Sequence, residues 1–128
     1  MASVEELKRV AKRFAVDAWN GDVAIFDEVC SPDYRLGEMT LNDLKQAILA
    51  YRQGVPDLTA SVGDMIAEGD TVAYRWTMSG THLGTYLGIA ATGKPVTATG
   101  ITILHFRDGK VLRDEFESSS KSFEEQVS

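Results

Sequence analysis

Few groups in this chain titrate near neutral pH, and they are unevenly placed. The histidines are His82 and His105, and the single cysteine is Cys30. Downstream of His105 come Asp114, Glu115 and Glu117. The segment that carries them reads as a hairpin. Residues 95–106 are rich in Val, Thr and Ile, Asp108-Gly109 is a two-residue turn signal, and residues 110–118 return antiparallel. With a two-residue loop and no bulge, His105 faces Leu112 and Ile103 faces Asp114. Ile101, Ile103, His105, Leu112, Asp114 and Phe116 then share one mostly apolar face, the expected inner face. His105 and Asp114 become diagonal neighbours roughly 7 Å apart. Such a pair in an apolar setting suits general acid–base chemistry, because burial and pairing can hold a pKa near neutrality. The alternative is that both are ordinary rim residues near a hairpin tip. A one-residue bulge would bring Glu115 and Glu117 inward instead, so Glu117 stands as the second candidate carboxylate.

Other residues carry weaker signals. Arg75 sits mid-strand among apolar neighbours, where it could polarise a carbonyl or anionic group, or make a salt bridge on an open face or across an interface. His82, within Gly80-Thr81-His82, reads as a structural hydrogen-bonder or as a pocket residue. Trp19, Tyr34 and Tyr51 are core or pocket aromatics, and the two tyrosines offer hydroxyls to a bound carbonyl. The histidines are far apart and lack ligand spacing, so no metal site is expected. Gly84, Gly88 and Gly93 fit neither a dinucleotide nor a P-loop pattern, and no cofactor is expected. Cys30, beside Val29, reads as a small buried hydrophobe.

These residues need a frame. Ser3 with Glu6 predicts a cap for a helix from about Val4 to Asn20, whose apolar face includes Leu7, Ala11 and Phe14, and Gly21 stops it. Asp22 can cap a short second helix with Val23, Phe26 and Val29 on one face, ended by Ser31-Pro32-Asp33. Tyr34 to Leu36 reads as extended. Thr40 with Asp43 caps a third helix, with Leu41, Leu44, Ile48 and Tyr51 on its apolar face and Gly54 at its end. Residues 58–67 and 71–79 read as strands. In the second, Val72, Tyr74, Trp76 and Met78 alternate with Ala73, Arg75, Thr77 and Ser79. Gly80 to Lys94 reads as a loop, and the last ten residues are polar. Helices first and an antiparallel meander afterwards predict an α+β fold, a curved sheet covered on one face by helices. The concave space between them suits a small ligand.

Composition narrows the partners. The chain has 128 residues, enough for one domain, read as residues 1–128. Its net charge of −6 argues against nucleic acid and against an anionic membrane surface. No apolar run approaches a membrane span, and the acidic start lacks a signal-peptide pattern, so a cytoplasmic protein is expected. The stripe on residues 72–78 and its alternating partner suggest that both sheet faces are partly covered, so a homodimer packed through the sheet is expected.

The ordered set Gly80-Thr81-His82-Leu83-Gly84, Gly88-Ile89-Ala90-Ala91-Thr92-Gly93-Lys94, Gly100-Ile101-Thr102-Ile103 and Asp108-Gly109-Lys110-Val111 resembles SnoaL-like polyketide cyclases. Trp19-Asn20-Gly21-Asp22, Asp33-Tyr34, Pro56-Asp57-Leu58 and Ala67-Glu68-Gly69-Asp70 fit the same pattern, so the resemblance spans about residues 5–118. It implies the nuclear-transport-factor-two-like superfamily: a cone-shaped α+β barrel of three N-terminal helices on a curved antiparallel sheet, enclosing a pocket and usually dimeric. It also implies ring closure of an aromatic polyketide ester by intramolecular aldol condensation, without metal or cofactor. In the family an acid–base carboxylate on the final strand does the proton work, helped by a histidine on the strand before. The family's usual aspartate place, ten residues after the hairpin glycine, is Ser119 here; its tryptophan place is Glu115, and a frequent histidine place is Gly37. Superfamily epoxide hydrolases carry an arginine at the place of Arg75, but the place of their acid is Thr77. The expected activity is therefore cofactor-free acid–base chemistry, cyclisation or isomerisation, on a small apolar or aromatic carbonyl compound. The alternatives are a non-catalytic small-ligand-binding domain and a dimerisation module.

Overall fold

A computed structural model describes residues 2–128. The Ser3 hydroxyl accepts the Glu6 amide at 3.2 Å and starts α1 (Val4–Lys12). The predicted apolar face runs on beyond Lys12, but the backbone widens into π-helical turns over Arg13–Ala18. Gly21, at φ +125°, ends the run in a conformation that disfavours side chains. The second helix, α2 (Ile25–Val29), buries Ile25, Phe26 and Val29. In α3 (Leu41–Gly54), Thr40 and Asp43 cap each other's backbone reciprocally, at 3.0 and 3.2 Å, within the predicted bounds.

Six strands make one curved, open sheet: β1 (Cys30–Leu36), β2 (Met39–Thr40), β3 (Thr59–Glu68), β4 (Thr71–Thr81), β5 (Pro95–Arg107) and β6 (Lys110–Ser118). Their order is β2-β1-β6-β5-β4-β3, with β1 parallel to β6 and the other pairs antiparallel. Two expectations are corrected here. α2 stops at Val29, just before Ser31-Pro32-Asp33 as expected, but the extended segment begins at Cys30 rather than at Tyr34. Pro32 has no N–H to give, and the β1–β6 register breaks between Cys30 and Arg35, around it. The β5–β6 hairpin contains a bulge. Arg107 pairs with Lys110 and Phe106 with Val111, but His105 pairs with Arg113, which leaves Leu112 extra.

That bulge decides which groups point inward. Thr102, Leu104 and Phe106 are buried, so the even-numbered side of β5 faces the helices. Ile101 and Ile103 lie on the outer side. Beyond the bulge Asp114 pairs with Leu104, which keeps Asp114 on the inner face. The expected face is reversed on β5, and the bulge offsets that reversal on β6, so Asp114 and Phe116 remain inside as expected. Glu115 and Glu117 stay outside.

The helices pack on the inner face through Leu7, Phe14, Phe26 and Ile48, against Val72, Tyr74 and Leu104. A second cluster joins Val55, Leu58, Val96 and Val127. Val127 belongs to α4 (Phe123–Val127), a short helix in the polar tail that hydrophobic periodicity does not reveal. Because β6 ends at Ser118, the start of β5 lacks a strand on that side. Side chains from the tail replace it: the Gln126 amide meets the Thr97 N–H and carbonyl at 2.7 and 2.9 Å, and Ser120 Oγ accepts the Thr99 N–H at 2.7 Å. Among the described residues no helix is long and apolar enough to cross a membrane.

Candidate functional site

A cavity of about 230 Å³ lies between the helices and the inner sheet face. The π-helical segment and its exit supply Phe14, Ala15 and Trp19, while α3 supplies Leu44 and Ala47. Leu36 and Met39 flank the turn between β1 and β2. The sheet contributes Ala60, Tyr74, Trp76, Met78, Thr102, Asp114 and Phe116. The space arises where the walls are small, at Ala15, Ala47 and Ala60. It also needs Gly100: a Cβ there would lie 2.4 Å from the Trp76 ring and 2.5 Å from the Glu117 carbonyl. Trp76 can therefore lie close over the sheet, edge-on to Phe116 at 6.1 Å between ring centres. A cavity of about 150 Å³ lined by apolar side chains holds benzene, so this one has room for a larger flat molecule.

Asp114 is the only carboxylate among the lining residues, and it is 6% exposed. The Tyr34 hydroxyl donates to its Oδ2 at 2.7 Å. Its Oδ1 is buried without a hydrogen-bond partner among the described residues. Burial pushes the carboxyl up to about 6; the Tyr34 hydrogen bond pulls it down, and the Glu115 charge adds a smaller upward push. Burial, with Asp114 alongside, holds the Tyr34 phenol far above its ordinary range, so it stays a donor. The result is a carboxylate ionised at pH 7, short of solvation, with one oxygen free to take a proton. Nearby Cys30 is pushed up to about 12, first by burial and then by Asp114, and so stays an inert thiol.

The structure gathers some of the predicted residues and separates others. Trp19, Asp114 and Phe116 line the cavity, and Tyr34 stands behind Asp114. His105 does not meet Asp114. It lies on the outer face, with Nε2 2.7 Å from Glu115 Oε1. Arg75 and Glu117 are exposed on that face too, near the outward Ile101 and Ile103. The physical reason is the bulge at Leu112 together with the even-numbered inner side of β5. Tyr51 packs instead against Tyr86 and Phe123, with ring centres 5.1 and 6.2 Å away. His82 is fully buried beside Phe123, and its Nδ1 bonds to Thr92 Oγ1 at 2.9 Å; it does not line the cavity. Tyr74 and Thr102 do line it. Alternation had already put Tyr74 and Trp76 on one face, but Thr102 carried no such signal.

Residues 9–115 match the family model of the SnoaL-like polyketide cyclases. The chain belongs to the SnoaL-like polyketide cyclase family. Solved structures share its architecture. TsrD from Streptomyces laurentii is 26% identical, with a TM-score of 0.86 over 99% of this chain and 98% of that one. AclR from Streptomyces galilaeus, described as a hydroxylase candidate, is 29% identical, with a TM-score of 0.81 over 91% and 77%. A SnoaL-like polyketide cyclase from Agrobacterium tumefaciens is 15% identical and shares the fold, with a TM-score of 0.72 over 100% of both chains. No curated protein matches the chain significantly. Within this SnoaL-like chain, Gly37 occupies a tight turn between β1 and β2 at φ +59°, and Ser119 lies exposed just past β6. The carboxylate at the cavity is Asp114, upstream of Ser119 on β6.

Proposed function

We propose that this SnoaL-like protein takes a proton from carbon next to the carbonyl of a small, mostly apolar compound, with Asp114 as the base. The observation that carries the reading is Asp114, the one carboxylate on the wall of a mostly apolar cavity, with its Oδ1 buried and without a hydrogen-bond partner among the described residues. The carboxylate removes the proton, and the enolate either attacks a second carbonyl of the same molecule or is reprotonated elsewhere. In the first case a C–C bond forms and the new alkoxide takes the proton back from Asp114, so no cofactor is consumed. The apolar walls strip water from the carboxylate and raise its basicity.

A substrate-independent test uses 2-tetralone, a two-ring ketone with acidic C–H bonds beside its carbonyl. In D₂O the protein should speed loss of the α-proton NMR signal at least tenfold over buffer. Asp114→Asn should abolish that gain, and His105→Ala, on the outer face, should keep it within twofold. Binding of 2-tetralone with no exchange would sink the catalytic reading and leave a ligand container.

The outer sheet face bears on assembly. Ile66, Ile101 and Ile103 are 70%, 51% and 39% exposed, beside Arg75, Glu115 and Glu117. We infer that a second copy covers this face about a two-fold axis, where Arg75 of one protomer can meet the acidic β6 residues of its partner. Light scattering should give a dimer that Ile101→Asp turns into a monomer. A monomeric wild type at micromolar concentration would refute the assembly.

A further inference from the structure

An enolate formed beside Asp114 needs a hydrogen-bond donor at its oxygen. Tyr34 is already committed to Asp114 Oδ2. The remaining polar side chains on the cavity wall are two indoles, Trp19 and Trp76, and two hydroxyls, Tyr74 and Thr102. The hydroxyl residues are direct partners across β4 and β5, and are 4% and 5% exposed. On the next strand Asp114 pairs with Leu104, and Phe116 pairs with Thr102. Thr102 is thus the diagonal neighbour of Asp114 on the inner face, at a spacing that long side chains bridge. Tyr74, Thr102 and Asp114 form one polar corner in an apolar chamber.

Resting on Asp114 as the base, we propose that Tyr74 holds the carbonyl oxygen of the substrate, donating to it as the enolate forms, and that its strand partner Thr102 orients the phenol. A phenol is a stronger donor to an oxyanion than either indole. Burial and the Asp114 charge keep Tyr74 protonated, while Thr102 works the other way by favouring negative charge on the phenol oxygen. Tyr74 therefore shares its proton without surrendering it. The electrons balance: Asp114 Oδ1 gains the carbon-bound proton, the C–H pair becomes the C=C bond, and the carbonyl π pair moves to oxygen. The arrangement selects a ketone or 1,3-dicarbonyl compound whose carbonyl oxygen and acidic C–H lie on the same edge of a flat apolar body.

The test compares 2-naphthol, a flat mimic of the enol of 2-tetralone, with naphthalene, which has the same rings and no oxygen. Wild type should bind 2-naphthol at least tenfold more tightly. Tyr74→Phe and Thr102→Val should each cut that ratio to threefold or less while leaving naphthalene affinity within twofold, and Thr102→Ser should keep the wild-type ratio. If Tyr74→Phe fails to fold, the two Thr102 variants still decide. An unchanged ratio in the variants would overturn the proposal and leave the role of Asp114 standing, since Asp114→Asn is judged by deuterium exchange. Failure of the wild type to bind either compound would overturn this proposal and the cavity reading together.

Discussion

Asp114→Asn is expected to lose about 10²- to 10⁴-fold in turnover, the usual share of a general base, and yet to become more stable at pH 8. The carboxyl sits at about 6 in the folded protein against an ordinary 3.8. A group whose folded pKa is raised supports the fold fully below its unfolded value. That support is lost as pH rises through the folded value. Between about pH 4 and pH 6 wild type should therefore lose stability that the amide variant keeps. A two-unit shift corresponds to about 3 kcal/mol. The amide still accepts from Tyr34, but its NH₂ group takes the place of the unpartnered Oδ1, which costs about 1–2 kcal/mol. The net gain at pH 8 should be about 1–2 kcal/mol by urea unfolding, shrinking or reversing at pH 4. Equal pH dependence in both proteins would mean that Asp114 is not a desolvated carboxylate. In wild type, kcat/KM should fall as pH drops below about 6, where Asp114 takes up its proton.

Tyr34→Phe should move that acid limb upward while leaving the base in place. The Tyr34 hydroxyl is the main influence holding Asp114 down against burial. Without it, the carboxyl rises further. A charge-assisted hydrogen bond is worth about 1.5–3 kcal/mol, so the limb should shift by about one pH unit or more. The stability loss should be large at pH 8, where both carboxylate oxygens are left bare, and small at pH 5, where the proton stays on. A variant that merely loosened packing would lose stability equally at both pH values and leave the limb unmoved. Tyr34 thus acts as a positioning residue, with its effect read in the pH profile rather than in the plateau rate.

The two predictions depend on β1, whose start at Cys30 no local signal marks. Proline in Ser31-Pro32-Asp33 suggests the end of a helix, and locally that is sound. The helix does stop at Val29, and the parallel pairing with β6 extends the strand back to Cys30, leaves the proline where the register breaks, and carries Tyr34 to within 2.7 Å of Asp114. No local pattern connects residues 34 and 114, because parallel neighbours are far apart along the chain.

Much of the frame is written in short-range chemistry. Ser3 and the Thr40–Asp43 pair mark helix starts through their own hydrogen bonds. Alternation from Val72 to Met78 sorts one strand into two faces. Asp108-Gly109 makes a tight hairpin with both residues at positive φ, +54° and +77°. Each signal involves atoms a few residues apart, so the sequence displays it directly. The ordered glycine motifs likewise pointed to the family that residues 9–115 match.

The chemistry of the site was decided elsewhere. The sequence offered His105 with Asp114 as a pair and Glu117 as a second carboxylate; the packing of β5 turned His105 outward, and a single extra residue at Leu112 decided between the carboxylates. Side chains alternate with a period of two, so one bulge exchanges the inner and outer sets beyond it. Only the packing of Thr102, Leu104 and Phe106 under the helices determines which side of β5 is inner. By itself the sequence determined three helices, a meander and an acidic final strand. The tertiary structure alone determined that Asp114, and not its charged neighbours, lies in the dark between Tyr34 and the cavity, because burial is a property of what packs around a residue.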